Sequence, residues 1–320
     1  MLRLTPLALA LLTGFGFTLV SMPFFIGWMR RLKFGQAIRE EGPKSHFDKA
    51  GTPTMGGAVL VLGGFLGTLW SGFTPALAML WVLILGGAAL GAKDDLAKVI
   101  KRHNAGLKPR HKLVLQLGLG LLAGLYLVFV AKETRLVIPG WGSIDSAVLI
   151  LALSLLVVTA TTNAVNLTDG LDGLAGGTVS ASLLAYLCIA LAVGRPELAL
   201  SCAALIGACL GFLWFNCYPA RIFMGDTGSM ALGAALAGLA LLTRTEFWLP
   251  VIGGVYVAET LSVMLQVSYF KLTKGKRIFR MSPLHHHFEA TSPEMKVTVR
   301  FCIASALLGA VGVLAFLGVR

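Results

Sequence analysis

Two aspartates three residues apart, Asp169 and Asp172, sit in the stretch NLTDGLDGL (166–174) between two long apolar runs. A carboxylate in such surroundings is costly unless it meets a cation or a set of hydrogen-bond donors. Asn163 and Asn166 come just before the pair. Gly170, Gly173, Gly176 and Gly177 let backbone or a ligand approach closely. Thr168 or Asp169 would also make an ordinary N-cap for the next helix, with Asp172 in its first turn, where acids suit the helix dipole. On this stretch alone both readings stand.

Three further stretches carry residues of the same kind. Asp94 and Asp95, in GAKDDLAK (91–98), end a third apolar segment. Asp94 is spaced to pair with Lys98 at i,i+4, but acids at a helix C-terminus oppose the dipole. MGDTGS (224–229) places Asp226 and Thr227 between Gly225 and Gly228 at the start of another apolar run. A glycine-rich turn feeding a helix N-terminus presents free N–H groups to phosphate, and its carboxylate suits a metal that bridges to that phosphate. His285, His286 and His287 lie in PLHHHFE (283–289). Neighbours on a helix differ by about 100° in direction, so three in a row do not easily face one ion. Nor is the spacing that of a known zinc site. Anion contacts, beside the Lys and Arg of 271–280, are the favoured reading. Asn216, Gln266 and Phe223 fall near the same segments, and Phe223 is a candidate base-stacking ring. Glu259 is a lone acid inside an apolar run, either functional or paired with a neighbour.

Together these give five acids (Asp94, Asp95, Asp169, Asp172, Asp226), glycine turns and many cations in an apolar chain. Carboxylate-rich oxygen sites suit Mg²⁺, which keeps waters and bridges phosphates. The cations suit the phosphates themselves. The chemistry implied is Mg-dependent phosphoryl transfer between two phosphorylated reactants, one of them a lipid.

The elements that must position these residues are membrane spans. The chain has 320 residues, 56% hydrophobic and 13% charged, with mean hydropathy +0.80. Soluble domains carry roughly 25% charged residues. The expected fold is all-α and polytopic, a single integral-membrane domain over 1–320 with about ten transmembrane helices. The candidate spans are about 5–29, 54–71, 75–92, 113–131, 146–165, 173–193, 198–216, 229–243, 249–270 and 298–319. Segment 132–145, with a Pro-Gly turn signal, reads as a small hairpin outside the bilayer. With both termini external, ten spans leave only Arg3, Lys132, Arg135, Arg195, Arg244 and Arg320 outside, out of 27 Lys and Arg. That bias is the positive-inside pattern, so the net charge of +12 is a topology signal and no sign of nucleic acid. The same arrangement brings all four polar motifs to the cytoplasmic face. The five cysteines form no CxxC pair and read mostly as small buried hydrophobes. A transporter would place its polar residues near the midplane, where only Glu259 is expected.

GTPTMGG (51–57), DD (94–95), NLTDGLDGL, MGDTGS and PLHHHFE resemble the bacterial phospho-N-acetylmuramoyl-pentapeptide transferases, within the polyprenyl-phosphate N-acetylhexosamine-1-phosphate transferase superfamily. The resemblance covers nearly the whole chain. It implies an enzyme of the bacterial cytoplasmic membrane with its active site facing the cytoplasm. Such an enzyme takes UDP-N-acetylmuramoyl-pentapeptide and undecaprenyl phosphate to lipid I and UMP with Mg²⁺, as an expected homodimer. It implies Asp94, Asp95 and Asp226 as catalytic, with Asp94 deprotonating or positioning the lipid phosphate. Asp226 and Asp169 would hold Mg²⁺. Asp169, Asp172, Asn166, Asn216, Phe223, Gln266, Lys98, Thr52, His285, His286 and His287 would line the substrate site. A sibling transferase using N-acetylglucosamine-1-phosphate is the alternative. Asp226 as a nucleophile in a two-step reaction is the alternative mechanism.

Overall fold

The computed structural model describes residues 4–32, 49, 51–101 and 106–319. Of the cations counted above, Arg3, Lys33, Arg39, Lys44, Arg102 and Arg320 lie outside the described residues. The described residues form a helical bundle with one small hairpin. Its helices are α1 (Leu4–Arg31), α2 (Gly57–Thr68), α3 (Pro75–Lys101), α4 (Pro109–Leu125), α5 (Ala147–Thr168) and α6 (Leu174–Ala192), followed by α7 (Pro196–Asn216), α8 (Gly225–Leu242), α9 (Leu249–Ile252), α10 (Gly254–Leu272), α11 (Leu284–Glu289) and α12 (Glu294–Val319). A wider π-helical turn, Tyr126–Val130, extends α4. The hairpin pairs β1 (Arg135–Ile138) with β2 (Gly142–Asp145), antiparallel, where the Pro-Gly signal predicted it.

Helices occupy all ten predicted segments, but among the described residues eight of them are long and apolar enough to cross a bilayer. Two segments depart from expectation. With 12 residues, α2 is about 18 Å long, against a hydrocarbon core of about 30 Å. The ninth segment breaks at Gly253 into a single turn, α9, and a helix, α10, that carries Glu259 and Gln266.

At the centre stands α8, in contact with α3, α5, α2 and α6, while α7 packs against α1, α2 and α6. Nearly every residue of α8 after its first turn is buried. Its composition explains this: glycine and alanine let neighbouring helices approach closely, which is how helices associate without a hydrophobic drive between them. One of the tightest approaches is at Gly91 of α3, where a Cβ would overlap the Asp226 backbone. This contact brings the polar end of α8 against the polar end of α3. At the opposite end, Arg244 Nη1 and Nη2 donate to the carbonyls of Glu133 (2.9 Å) and Arg135 (3.0 Å), tying the hairpin to the end of α8.

Candidate active site

Asp94 and Lys98 lie one turn apart on α3. Lys112 is on the first turn of α4, and Asp226 is on the first turn of α8. These four form a closed ionic square. Lys98 Nζ is 2.8 Å from Asp94 Oδ2 and 3.0 Å from Asp226 Oδ1. Lys112 Nζ is 3.0 Å from Asp94 Oδ2 and 2.8 Å from Asp226 Oδ2. Leu107 N–H donates to Asp94 Oδ1 at 2.7 Å. Asp94 is fully buried, and breaking a buried pair by removing one partner costs about 3–5 kcal/mol. Asn166 of α5 donates to Asp226 Oδ1 (3.1 Å) and to Ser229 Oγ (2.9 Å). Charges from α3, α4 and α8 and an amide from α5 therefore meet at one point.

Asp95 is next in sequence and differs in role, because adjacent helical side chains point about 100° apart. It accepts from Asp226 N–H (3.0 Å), Thr227 N–H (2.9 Å) and Thr227 Oγ1 (2.7 Å). It thus acts as the N-cap of α8 supplied from another helix, satisfying orphan donors where a carboxylate suits the dipole. Asp95, expected from the resemblance to be catalytic, has its carboxylate engaged by the start of α8 in this structure. The two acids also lie within α3, which runs on to Lys101, and not at its end.

The N-cap reading of Thr168 and Asp169 is corrected as well. Asp169 follows α5, and α6 starts at Leu174 after a left-handed Gly173 with no side-chain cap. Asp169 lies in the turn 169–173, outside the spanning helices. Part of the residue reaches solvent, but protein surrounds its carboxyl. Burial first, then the carboxylates of Asp226 and Asp95, pushes it up to about 8, with Lys98 opposing.

Asp172 has both oxygens engaged elsewhere. Oδ1 meets Lys49 Nζ at 2.8 Å, and Oδ2 accepts from Ala220 N–H at 2.9 Å. Glu294, on the first turn of α12, completes a triad: its Oε1 takes Lys49 Nζ at 2.6 Å and Asp172 N–H at 2.7 Å. Burial disfavours the Lys49 ammonium, yet Asp172 and Glu294 outweigh it and raise its pKa. Asn216 accepts from Gly173 N–H (3.0 Å) and donates to the Ile222 carbonyl (2.9 Å), so it ties two loops together. Gln266 Oε1 accepts from Ile278 and Phe279 N–H, both at 3.0 Å. The polar atoms of Asp172, Asn216 and Gln266 thus hold neighbouring backbone and Lys49 in place. Phe223 is half-buried, and its backbone pairs with Pro53 and Gly56, which fastens the GTPTMGG segment to the start of α8. Thr52 N–H donates to the Lys49 carbonyl at 3.2 Å.

The three histidines part company on α11, as helical geometry requires. His285 is fully buried. Its Nδ1 is 3.2 Å from Glu259 Oε2, and its N–H donates to Glu259 Oε1 at 3.2 Å. His286 Nδ1 meets Glu289 Oε2 at 2.9 Å. His287 Nδ1 accepts from Arg280 N–H at 3.2 Å, between the rings of Phe279 and Phe288. Glu259 thus has its neighbour, and through His285 it stands level with the turn 169–173, not at an isolated depth.

Sequence reasoning missed Lys112, Lys49 and Glu294. Both lysines were absorbed into the topological charge bias, and Glu294 sits in no motif. For a metal, no group of three His, Cys, Asp or Glu side chains converges among the described residues. Mg²⁺ needs only one or two carboxylates plus substrate phosphates. Asp226, partly exposed beside Asp94 and within electrostatic reach of Asp169, fits that requirement.

The family model for glycosyl transferase family 4 matches residues 77–244, from α3 to the end of α8. Curated proteins named phospho-N-acetylmuramoyl-pentapeptide-transferase are similar over nearly the whole chain. The one from Heliobacterium modesticaldum is 52% identical over 304 residues, 93% of this chain and 94% of its own. The one from Moorella thermoacetica is 48% identical over 314 residues, 97% of each. The one from Shouchella clausii is 47% identical over 314 residues, 96% of each.

Proposed function

The chain belongs to the phospho-N-acetylmuramoyl-pentapeptide-transferases of glycosyl transferase family 4, membrane enzymes of peptidoglycan synthesis, and from that we propose the reaction, the metal and the orientation. The donor is UDP-N-acetylmuramoyl-pentapeptide and the acceptor is undecaprenyl phosphate. An oxygen of the lipid phosphate attacks the sugar-bearing phosphorus. A new P–O–P bond forms, the bond to the nucleotide phosphate breaks, and UMP leaves with that bridging oxygen and its electron pair. The site faces the cytoplasm of the bacterial inner membrane.

The observation that carries this reading is the square of Asp94, Lys98, Lys112 and Asp226. Two anions meeting one another repel, so the protein must supply positive charge and alignment. Lys98 and Lys112 supply the charge, held by their two carboxylates at a fixed point between α3, α4 and α8. Asp94 holds the lysines from the buried side and through them would position the acceptor phosphate. Asp226, tethered by Asn166, would hold Mg²⁺ together with Asp169. When bound, Mg²⁺ neutralises the pyrophosphate and the charge developing on the departing UMP. The half-buried face of Phe223 is offered to the uracil. Direct attack is favoured over an aspartyl-phosphate, because a carboxylate that binds cations is a poorer nucleophile.

UMP release by the purified protein, with undecaprenyl phosphate, Mg²⁺ and one of two donors, tests the donor. UMP from UDP-N-acetylmuramoyl-pentapeptide alone is the expected result. UMP only from UDP-N-acetylglucosamine would move the chain's substrate to the sibling chemistry.

A further inference from the structure

The reaction just proposed makes no use of Glu259, a fully buried carboxylate on α10. Its oxygens meet one residue in two ways. They accept the His285 N–H (3.2 Å to Oε1, 3.4 Å to Oε2), and Oε2 lies 3.2 Å from His285 Nδ1. The second contact is attractive with the proton on Nδ1. The residue is therefore held through its backbone N–H, with the Glu259 carboxylate facing the ring. Neither ring nitrogen meets hydrogen-bond geometry with a partner among the described residues. The Nε2 edge of the ring lies against Gly170, where a Cβ would overlap Nε2, Cε1 and Cδ2. Gly170 belongs to the turn that carries Asp169 and Asp172.

We propose that Glu259 is a positioning residue that locks the His285 ring behind Gly170, so that a carboxylate on α10 fixes the turn 169–173 from the rear. The chain of contact runs from α10 through α11 to the turn and its acids. His285 acts in it as a buttress and not as a contact to the sugar-nucleotide, and Gly170 is glycine because the ring occupies the place of its side chain. The inference rests on the proposed transferase reaction for its kinetic readout. Its structural readout, amide exchange, stands apart from that reaction.

Three variants test it. Glu259→Gln keeps an acceptor for the His285 N–H and loses the charge facing the ring. His285→Gln removes the ring. Gly170→Ala leaves both residues in place and pushes the ring away, without backbone strain, since Gly170 has ordinary φ. Each is expected to lower kcat for UMP release by about tenfold or more, through misplacement of the acids that the turn carries. KM for the UDP-sugar and Tm stay at the wild-type values in Glu259→Gln. The Glu259→Gln/His285→Gln double variant is no slower than the slower single, because Glu259 acts only through the ring. Amide exchange in 169–173 is faster in all three. Wild-type kcat together with wild-type exchange in Glu259→Gln, or losses that multiply in the double variant, would overturn the proposal. Faster exchange in the variants of a wild type that releases no UMP would sustain it and overturn the proposed reaction instead.

Discussion

At the scale of single residues, one acid of each close pair faces the central cluster and the other organises backbone. Asp94 faces Lys98 and Lys112, and Asp95 caps α8. Asp169 lies near the cluster, and Asp172 anchors Lys49 and Ala220. Sequence showed the pairs and the Asp94–Lys98 spacing, but not the division of labour, which depends on which neighbour each side chain meets in three dimensions. Asp226→Asn is expected to abolish turnover; near-normal UMP release would remove the metal role. Lys112→Met is expected to lower kcat by about 10²–10³, the usual loss for one preorganised group facing developing charge, as read in the same assay. Asp169 gives a pH prediction for the Mg-free protein. Folded, it holds its proton to about pH 8, and an unfolded aspartate releases it near pH ~4. Between those values the folded state binds more protons, so this group's contribution to stability falls as pH rises. Melting curves from pH 4 to 8 should show that decline, and Asp169→Asn should flatten it. A slope unchanged in the variant would contradict the assignment.

At the scale of elements, the site exists because α3 and α8 touch through glycine. Gly91 admits the Asp226 backbone, and Asp95 then closes the gap with three hydrogen bonds. Asp95→Ala is expected to destabilise the fold by at least about 1.5–3 kcal/mol, the worth of a charge-assisted bond. An unchanged Tm would contradict that capping role. The helical elements themselves were legible from the apolar runs, and so were the hairpin and the start of α8 at MGDTGS. The short α2 and the break at Gly253 were not. The apolar pattern marks neither boundary; in the structure Phe223 pairs with Pro53 and Gly56 just ahead of α2, and Gly253 N–H bonds back to the Leu249 carbonyl where α9 ends. The three histidines were legible as non-convergent from helix geometry alone, while the partner of Glu259 lay 26 residues away and left no local signal.

At the scale of the whole molecule, every chemistry-bearing motif gathers at one end of the bundle and the hairpin marks the other. That convergence was readable before the structure, because the Lys and Arg bias assigned the loops to sides. The same bias hid Lys112 and Lys49, which make ion pairs with the motif acids Asp94, Asp226 and Asp172. A cysteine placed at Trp141, 91% exposed in the hairpin, in a cysteine-free background, is expected to react with an impermeant thiol reagent added outside intact cells; protection there with labelling only after lysis would invert the proposed orientation. The most direct test of the proposed chemistry is UMP release from UDP-N-acetylmuramoyl-pentapeptide and Mg²⁺, with and without undecaprenyl phosphate. Sustained release that requires the lipid phosphate is predicted, with none in its absence. A burst of UMP equal to the enzyme present without lipid, or no UMP from folded protein with it, would contradict direct transfer at the Asp94–Asp226 cluster.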